Sequence, residues 1–254
     1  MVFKRFLASV GVGGATVDTV LSRSVLRPGE ILQGTIKLSG GSIDQTIDQI
    51  LLVLESVAER EYQDSSHHET VRISQHVLLG RYIIPAGAEL DVPFEMRLPF
   101  ETPITRAFGY DLRIPLYLKT EVEVLGAVNP SDRDRVEIEP NQAQARILQA
   151  MQNLSLQLYK ADLEIGNVRG ARLPFFQELE FRASRHFSHR INEVELTFVA
   201  REHDMDVILE MDKKSSGWAR LAYDSIDEVR GFNVRYDQVN SQSWERVVEN
   251  LLLS

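Results

Sequence analysis

Short runs of alternating apolar and polar residues recur along most of the chain. In the run 31–38, Leu32, Ile36 and Leu38 alternate with other residues. A period of two places alternate side chains on opposite faces, so this pattern predicts a strand with one buried face. Gly34 interrupts the run, which indicates a bulge or a close backbone contact. Further strands are predicted at 15–21, 46–61, 71–84, 90–98, 110–124, 136–139, 155–163, 175–183, 194–201, 206–211 and 229–236.

Proline and glycine mark the turns that separate these strands. Pro28-Gly29 fits a tight turn, because proline fixes one backbone angle and glycine tolerates a positive φ. The segment 85–87 repeats this chemistry before a later strand. That strand contains Pro93 and is followed by Pro99, and proline cannot donate a ladder hydrogen bond. The two prolines therefore predict an edge strand or the ends of a strand, and not a central strand.

Three segments have the spacing of an amphipathic helix. Asn141 follows Pro140 and suits an N-cap, and the apolar residues after it share one helical face. These residues are Ala143, Ile147, Ala150, Met151 and Leu154. A C-terminal helix is predicted from the apolar face of Trp244, Val247, Val248, Leu251 and Leu252. Residues 3–10 predict a short helix packed on the protein, and the alternative is a weak peripheral contact of this helix with a membrane surface.

The change from alternation to helical spacing at Pro140 marks a predicted domain boundary. Short strands with turn signals and few helices between them favour antiparallel sandwiches over βαβ units. We therefore predict an all-β fold of two antiparallel β-sandwich domains. The first spans 1–139, and the second, with helical segments at its start and end, spans 140–254.

Two turn-and-strand segments carry a family resemblance. The turn at 28–30 opens a strand, and a later strand ends at the leucine–proline pair 98–99, an arrangement that resembles the N-terminal domain of arrestin-like proteins. The flanking segments 8–21 and 127–134 are similar to the bacterial sporulation-control protein M family, which belongs to the arrestin clan. The resemblance runs through roughly the whole chain and is strong to about residue 140. It implies a pair of β-sandwiches and a role in developmental or stress regulation, linked to cell division or morphology.

Composition and net charge indicate which kinds of molecule the protein is expected to bind. The chain is 43% hydrophobic and has a net charge of -9, which indicates a globular protein with a sizeable core. Nucleic acid and anionic lipid repel such a chain on average, and no basic patch is apparent in the sequence. We therefore expect other proteins as partners and no nucleic acid. The sequence leaves the oligomeric state open.

The chain contains no cysteine. This excludes disulfides, thiolate metal sites, iron–sulfur clusters and a cysteine nucleophile, and it fits a cytoplasmic protein. No signal peptide is recognised at the N-terminus. No uninterrupted apolar run approaches about 18 residues, so we predict no transmembrane segment.

Histidines are the first candidates for metal ligands. His186 and His189 are three residues apart, and His67 and His68 lie in a predicted polar hairpin loop. Two imidazoles at that spacing can share a metal on a helix or tight turn, but a third ligand must come from elsewhere. Surface or loop histidines are the favoured interpretation. The alternative is a metal or small-ligand site near His186 and His189.

Two Asp-x-Asp pairs are the second candidates. Asp132 with Asp134, and Asp204 with Asp206, place two carboxylates close enough to chelate Mg²⁺ or Ca²⁺ from a loop. Neither pair has the glycine and distal glutamate of an EF-hand loop. Arginines alternate with the first pair, so we interpret it as part of a solvated loop.

For the remaining motifs, a loop or a packing role is a better explanation than a binding or catalytic role. The segment 11–16 begins like a dinucleotide fingerprint but ends in Thr16 and precedes a strand, the reverse of the required context. Trp218 and Trp244 are large aromatic residues of the kind that form binding platforms, but packing is the better interpretation for both. No catalytic motif is recognised.

The sequence thus predicts a non-enzymatic cytosolic regulatory or scaffold protein that acts by protein–protein interaction. We name no catalytic residue, no cofactor-binding residue, no metal ligand and no cofactor. The alternative is a β-sandwich module that binds a small ligand or metal.

Overall fold

The computed structural model describes residues 13–62, 65–183, 186–187, 191–212 and 229–253. The predicted helix at 3–10 therefore lies outside the described residues. The strands of the first half are β1 (Thr16–Leu21), β2 (Val25–Leu26), β3 (Ile31–Ser39), β4 (Gln45–Tyr62), β5 (Ser65–Leu79), β6 (Tyr82–Ile84), β7 (Glu89–Arg97), β8 (Arg106–Ala107), β9 (Tyr110–Asp111), β10 (Tyr117–Val124), β11 (Ser131–Arg135) and β12 (Glu137–Ile138). The second half contains α1 (Gln142–Asn153), β13 (Gln157–Ile165), β14 (Phe175–Arg182), β15 (Glu193–Ala200), β16 (Asp204–Asp212), β17 (Val229–Arg235) and α2 (Trp244–Leu253). The predicted all-β class with two helices is confirmed.

A three-stranded antiparallel sheet forms one layer of the first half. Its order is β1-β3-β7, so β7 with Pro93 lies at an edge, as predicted. Gly34 of β3 pairs in regular register, and a Cβ there would lie 2.6 Å from the Val20 carbonyl oxygen and 2.8 Å from the Phe94 ring. Close approach of the neighbouring strands, and not a bulge, therefore explains this glycine.

The edge of β1 is less open than its sequence suggests. The run 15–21 contains no proline, which predicts an edge available for pairing. In the structure the Thr19 N–H donates to the Asp132 carboxylate at 2.7 Å, and the Thr19 hydroxyl lies 2.6 Å from the Thr120 hydroxyl. The centre of this edge is therefore satisfied within the protein.

A long sheet crosses from the first half to the second. Its order is β11-β10-β4-β13-β14-β15-β16-β17, with β5 and β6 also paired to β4. The two halves meet where Glu59 of β4 pairs in parallel with Glu164 of β13. Buried side chains of both halves belong to one contiguous core. The division at 139/140 as a boundary between independently folding domains stays a prediction.

Two helices pack together in the second half. The N-cap Asn141 and Gln144 form a reciprocal capping box, which confirms the predicted start of α1. Buried residues of α1 include Ile147 and Met151, and α2 buries Trp244, whose indole N–H donates to a backbone carbonyl. The packing interpretation of this tryptophan is confirmed, whereas Trp218 lies outside the described residues. Within the described part of the chain, neither helix is long and apolar enough to span a membrane.

The end of α1 is a Schellman motif. The Ser155 N–H bonds to the Gln152 carbonyl at 2.8 Å, and the Leu156 N–H bonds to the Met151 carbonyl at 3.0 Å. Ser155 has φ of 59°, a conformation that glycine adopts more readily. This motif turns the chain directly into β13.

Several predicted segments differ from the structure. The predicted strand at 110–124 is broken into β9 and β10, because Arg113 has φ of 64° and Pro115 follows it. The predicted loop containing Asp132 and Asp134 is instead strand β11, paired with β10. Alternating Asp and Arg form a strand here because one side of β11 faces the interior and the other faces solvent.

Candidate functional site

The histidine candidates do not converge. His186 is exposed, and its Nε2 lies 3.7 Å from Glu249 Oε1 of α2, while His189 lies outside the described residues. His67 and His68 belong to strand β5, opposite Arg60 and Glu59 of β4, and not to the predicted loop. A strand directs successive side chains to opposite faces, so these two neighbouring imidazoles are not positioned to share an ion.

The Asp-x-Asp candidates are engaged within the protein. Burial, and then repulsion from Asp132, raises the pKa of Asp134 to about 7. Asp132 accepts the hydrogen bond of the Thr19 amide. Asp204 and Asp206 both accept from the Arg201 guanidinium, at 2.6 and 2.8 Å. Asp132 links β11 to β1, and both carboxylates of the second pair bind one arginine.

A separate group of carboxylates is brought together by strand pairing. Asp162 and Glu164 alternate along β13, and Glu178 of β14 lies opposite Asp162. Their oxygen atoms lie within 4.8 Å of one another, and we call these three residues the carboxylate cluster. Among the described residues, this is the group whose donor atoms and spacing would suit a divalent cation.

Glu178 is the most perturbed member of the cluster. It is 5% exposed. Burial, followed by repulsion from Glu164 and Glu195, raises the pKa of Glu178 to about 10. A carboxyl group with that pKa is protonated at neutral pH, so Glu178 can donate a hydrogen bond to Glu164. On the next strand, burial and then Glu210 raise the pKa of Glu195 to about 8.

A lysine occupies the border of the carboxylate cluster. Lys160 Nζ lies 2.6 Å from Asp162 Oδ2 and 2.5 Å from Glu180 Oε1. Burial alone would lower the pKa of Lys160, but its hydrogen bonds to these two carboxylates raise it above the ordinary value. The Tyr159 hydroxyl also donates to Glu180, at 2.5 Å. The Lys160 ammonium and the proton on Glu178 thus offset part of the negative charge on this face of the sheet.

Sequence reasoning missed the carboxylate cluster. The available signal was the alternation of acidic residues in two predicted strands, Asp162 with Glu164 and Glu178 with Glu180. Alternation places each pair on one face of its strand. It does not show which strands are neighbours or in which register, so the juxtaposition of the two pairs required the structure.

A groove of about 840 Å³ lies between the two halves. We call it the hairpin groove, because the β8–β9 hairpin and the residues up to Arg113 form one wall. The other wall is formed by residues 152–161, which comprise the end of α1, the link after it and the start of β13. The groove is open, and its lining includes the aromatic residues Phe108, Tyr110 and Tyr159. It is a composite surface to which both halves of the chain contribute.

Left-handed backbone concentrates in the hairpin groove. Three non-glycine residues have left-handed φ in the described part of the chain, and all three line this groove: Phe108, Arg113 and Ser155. Phe108 (53°) and Gly109 (80°) are the two central residues of the β8–β9 hairpin. Positive φ at both positions is the type I′ arrangement, in which asparagine followed by glycine is favoured. A phenylalanine in the first position is sterically costly.

Comparison with known proteins gives the family. A family model described as SpoOM protein matches residues 3–215. The sporulation-control protein Spo0M of Bacillus subtilis (strain 168) is 32% identical over 257 residues, which cover 98% of this chain and 97% of that protein. The crystal structure of Spo0M from Bacillus subtilis matches with a TM-score of 0.86 and 30% sequence identity, over 95% of this chain and 98% of that chain. The family predicted from the sequence is therefore confirmed, and the chain belongs to the Spo0M family.

Proposed function

We propose that this chain is a cytosolic regulatory protein of sporulation control or a related developmental process, and that it acts by binding other proteins. The observation that carries this proposal is similarity to the B. subtilis sporulation-control protein along nearly the full length of both chains. Similarity of that extent favours a common function, and not only a common fold.

The hairpin groove supports a binding mechanism. Its lining includes exposed aromatic side chains and Arg113, residue types that are enriched in protein–protein interfaces. Because residues before and after the predicted boundary form its two walls, we propose that binding requires both 1–139 and 140–254.

The carboxyl groups with strongly raised pKa values do not favour an enzyme. A general acid or base must reach its substrate within hydrogen-bonding distance. Glu178, whose pKa is raised most, is nearly fully buried and does not line the hairpin groove. We therefore propose a non-enzymatic role, with no catalytic residue.

Expression of this chain in a B. subtilis strain that lacks its own Spo0M tests the proposed role. We expect the sporulation frequency to move toward that of the parent strain, because the two proteins match over nearly their whole lengths. The measurement is the fraction of heat-resistant spores.

The same assay compares the full chain with 1–139 and 140–254 alone, each checked for folding by circular dichroism. Neither half is expected to restore sporulation. Full activity from one folded half would contradict the composite surface, and no effect of well-expressed full-length chain would contradict the proposed role itself.

We also expect no tightly bound metal. The proton on Glu178 and the Lys160 ammonium already reduce the negative charge of the carboxylate cluster, so a divalent cation would have to displace both a proton and a lysine. Elemental analysis of tag-free protein should find no stoichiometric metal, and EDTA should leave Tm unchanged. A stoichiometric metal that is lost in Asp162→Asn, or in the pair His186→Ala and His189→Ala, would instead support the alternative of a metal-binding module.

A further inference from the structure

We infer that the hairpin groove binds an extended segment of a partner protein, which adds as a strand to the free edge of β13 and places an acidic side chain beside Arg113. This inference rests on the proposed function, because it names the kind of partner surface through which the protein would act.

The first support is the unpaired edge of β13. This strand pairs with β14 from Gln157 to Ile165 with a bulge at Tyr159, but on its other side it meets β4 at the single pair Glu164 and Glu59. Between Gln157 and Ala161, no backbone hydrogen bond from the described residues reaches that other side. Residues 157–161 line the hairpin groove, so this unpaired edge borders it. Such an edge is a template for an added strand.

The second support is the residue at the tip of the opposite wall. Phe108 is 37% exposed, so its ring lies outside the core, and its left-handed φ is unfavourable for a phenylalanine backbone. The neighbouring Tyr110 is 75% exposed. Packing within the chain does not explain two exposed aromatic rings on one short hairpin, one of them at an unfavourable position. Strain of this kind is typical of ligand-binding segments.

The third support is the charge of the groove lining. Among the described lining residues Asp111 is the one carboxylate, and that group already accepts from the Arg135 guanidinium at 2.6 Å and from the Arg113 backbone N–H at 2.7 Å. In the described structure, no side-chain oxygen accepts from the Arg113 guanidinium. A chain with a net charge of -9 thus presents an uncompensated arginine in a composite groove. An acidic side chain flanked by apolar residues is complementary to it.

The geometry also separates an extended peptide from other occupants. The groove is open to solvent, and a compact small ligand would bury less of its surface there than in an enclosed pocket. A strand laid on β13 would gain backbone hydrogen bonds from Gln157–Ala161, and its side chains would contact Phe108 and Tyr159 on the two walls. Backbone pairing supplies affinity, and the side-chain contacts supply specificity.

The test selects ten-residue random peptides, displayed on phage, against the full-length chain. Selected peptides are then synthesised, and their affinity is measured by fluorescence anisotropy. Phe108→Asn removes the ring but supplies the residue that a type I′ turn prefers, so Tm should equal or exceed that of the parent. Arg113→Asn removes the guanidinium while tolerating left-handed φ. Tyr82→Asn removes an exposed aromatic of β6, outside the groove, and is the control.

We expect selected peptides to carry an acidic residue between apolar ones. Phe108→Asn and Arg113→Asn should each weaken binding about tenfold or more, while Tyr82→Asn should change it by less than about twofold. Hydrogen exchange should show protection of the backbone amides between Gln157 and Ala161 on binding. Absence of any selected peptide, equal binding by all three variants, or binding without this protection would overturn the inference.

The sporulation assay distinguishes this inference from the proposed function. If the parent chain restores sporulation and Phe108→Asn does so equally well, the hairpin groove is not the working surface, and the inference fails while the proposed function stands. If the parent chain itself has no effect, the proposed function fails. A groove that mediates association of two copies of this chain would appear as a change in molar mass on Phe108→Asn without peptide binding, and would also overturn the inference.

Discussion

Replacement of Gly29 by valine is expected to lower the free energy of unfolding by about 2–5 kcal/mol. Gly29 has φ of 81° in a turn closed by the hydrogen bond from the Glu30 N–H to the Arg27 carbonyl. A β-branched residue is strained at that φ. A Cβ would in addition lie 2.4 Å from Cε1 of Phe100, a contact that real Cβ atoms do not make. Thermal unfolding of the two proteins measures the difference.

Gly87→Val is the matched control for this substitution. Gly87 also has positive φ, 64°, but a Cβ there would meet no atom within 4 Å. It should therefore report backbone strain alone, about 1–3 kcal/mol. The excess cost of Gly29→Val over Gly87→Val measures the clash with Phe100. Equal losses of stability would contradict that clash, and an unchanged melt of Gly29→Val would contradict the turn itself.

The turn at Gly29 shows which parts of the fold the sequence predicts well. Its signal is local, because one proline, one glycine and the alternation after them suffice. The start of α1 is local in the same sense, since Asn141 and Gln144 cap it within one turn. The edge position of β7 follows from the missing N–H of Pro93. Each of these features depends on residues that are close together in the chain.

Features that depend on strand register could not be predicted from the sequence. The pairing of β4 with β13 joins residues about a hundred positions apart, and the carboxylate cluster exists because Asp162 lies opposite Glu178. Alternation predicts the faces of strands, but a shift of one residue would separate these two carboxylates. The solvated-loop interpretation of Asp132 and Asp134 failed for the same reason, because their partner strands were not apparent.

The hairpin groove was missed for a different reason. Its β8–β9 turn lacks the asparagine–glycine pair that announces a type I′ hairpin, because Phe108 takes the first position. The alternation over 110–124 then predicts one continuous strand, although the left-handed backbone of Arg113 ends β9 before β10 begins. Local rules fail here at a place where the residue type is unfavourable for the fold, and such places are candidates for function.

Glu178→Gln is expected to make the protein less sensitive to alkaline pH. Burial and neighbouring carboxylates raise the pKa of Glu178 to about 10 in the folded protein, compared with an ordinary value of 4.5. Between these two values the folded state holds a proton that the unfolded state has released. Stability therefore falls as pH rises through this window, because unfolding releases a proton.

The size of the effect follows from proton linkage. One proton difference over the three pH units from 5 to 8 corresponds to at most about 4 kcal/mol, and partial solvation of the cluster reduces this to about 1–3 kcal/mol. Glutamine is neutral at every pH and retains an amide that can donate to Glu164, as the protonated carboxyl does. Glu178→Gln should therefore match the parent near pH 5 and be more stable near pH 8.

Urea unfolding at pH 5, 6.5 and 8 measures the free energy at each pH for the parent and for two variants. The control is Glu202→Gln in the exposed turn between β15 and β16, where removal of a solvated charge should leave the pH dependence unchanged. Glu195 remains as a second contributor, because its pKa of about 8 lies in the same window, so the slope should decrease without vanishing. A Glu178→Gln protein that loses stability with pH as steeply as the parent would show that Glu178 is already ionised at neutral pH. In that case the carboxylate cluster carries a full set of negative charges, and the argument that its own proton and Lys160 reduce its charge would fail.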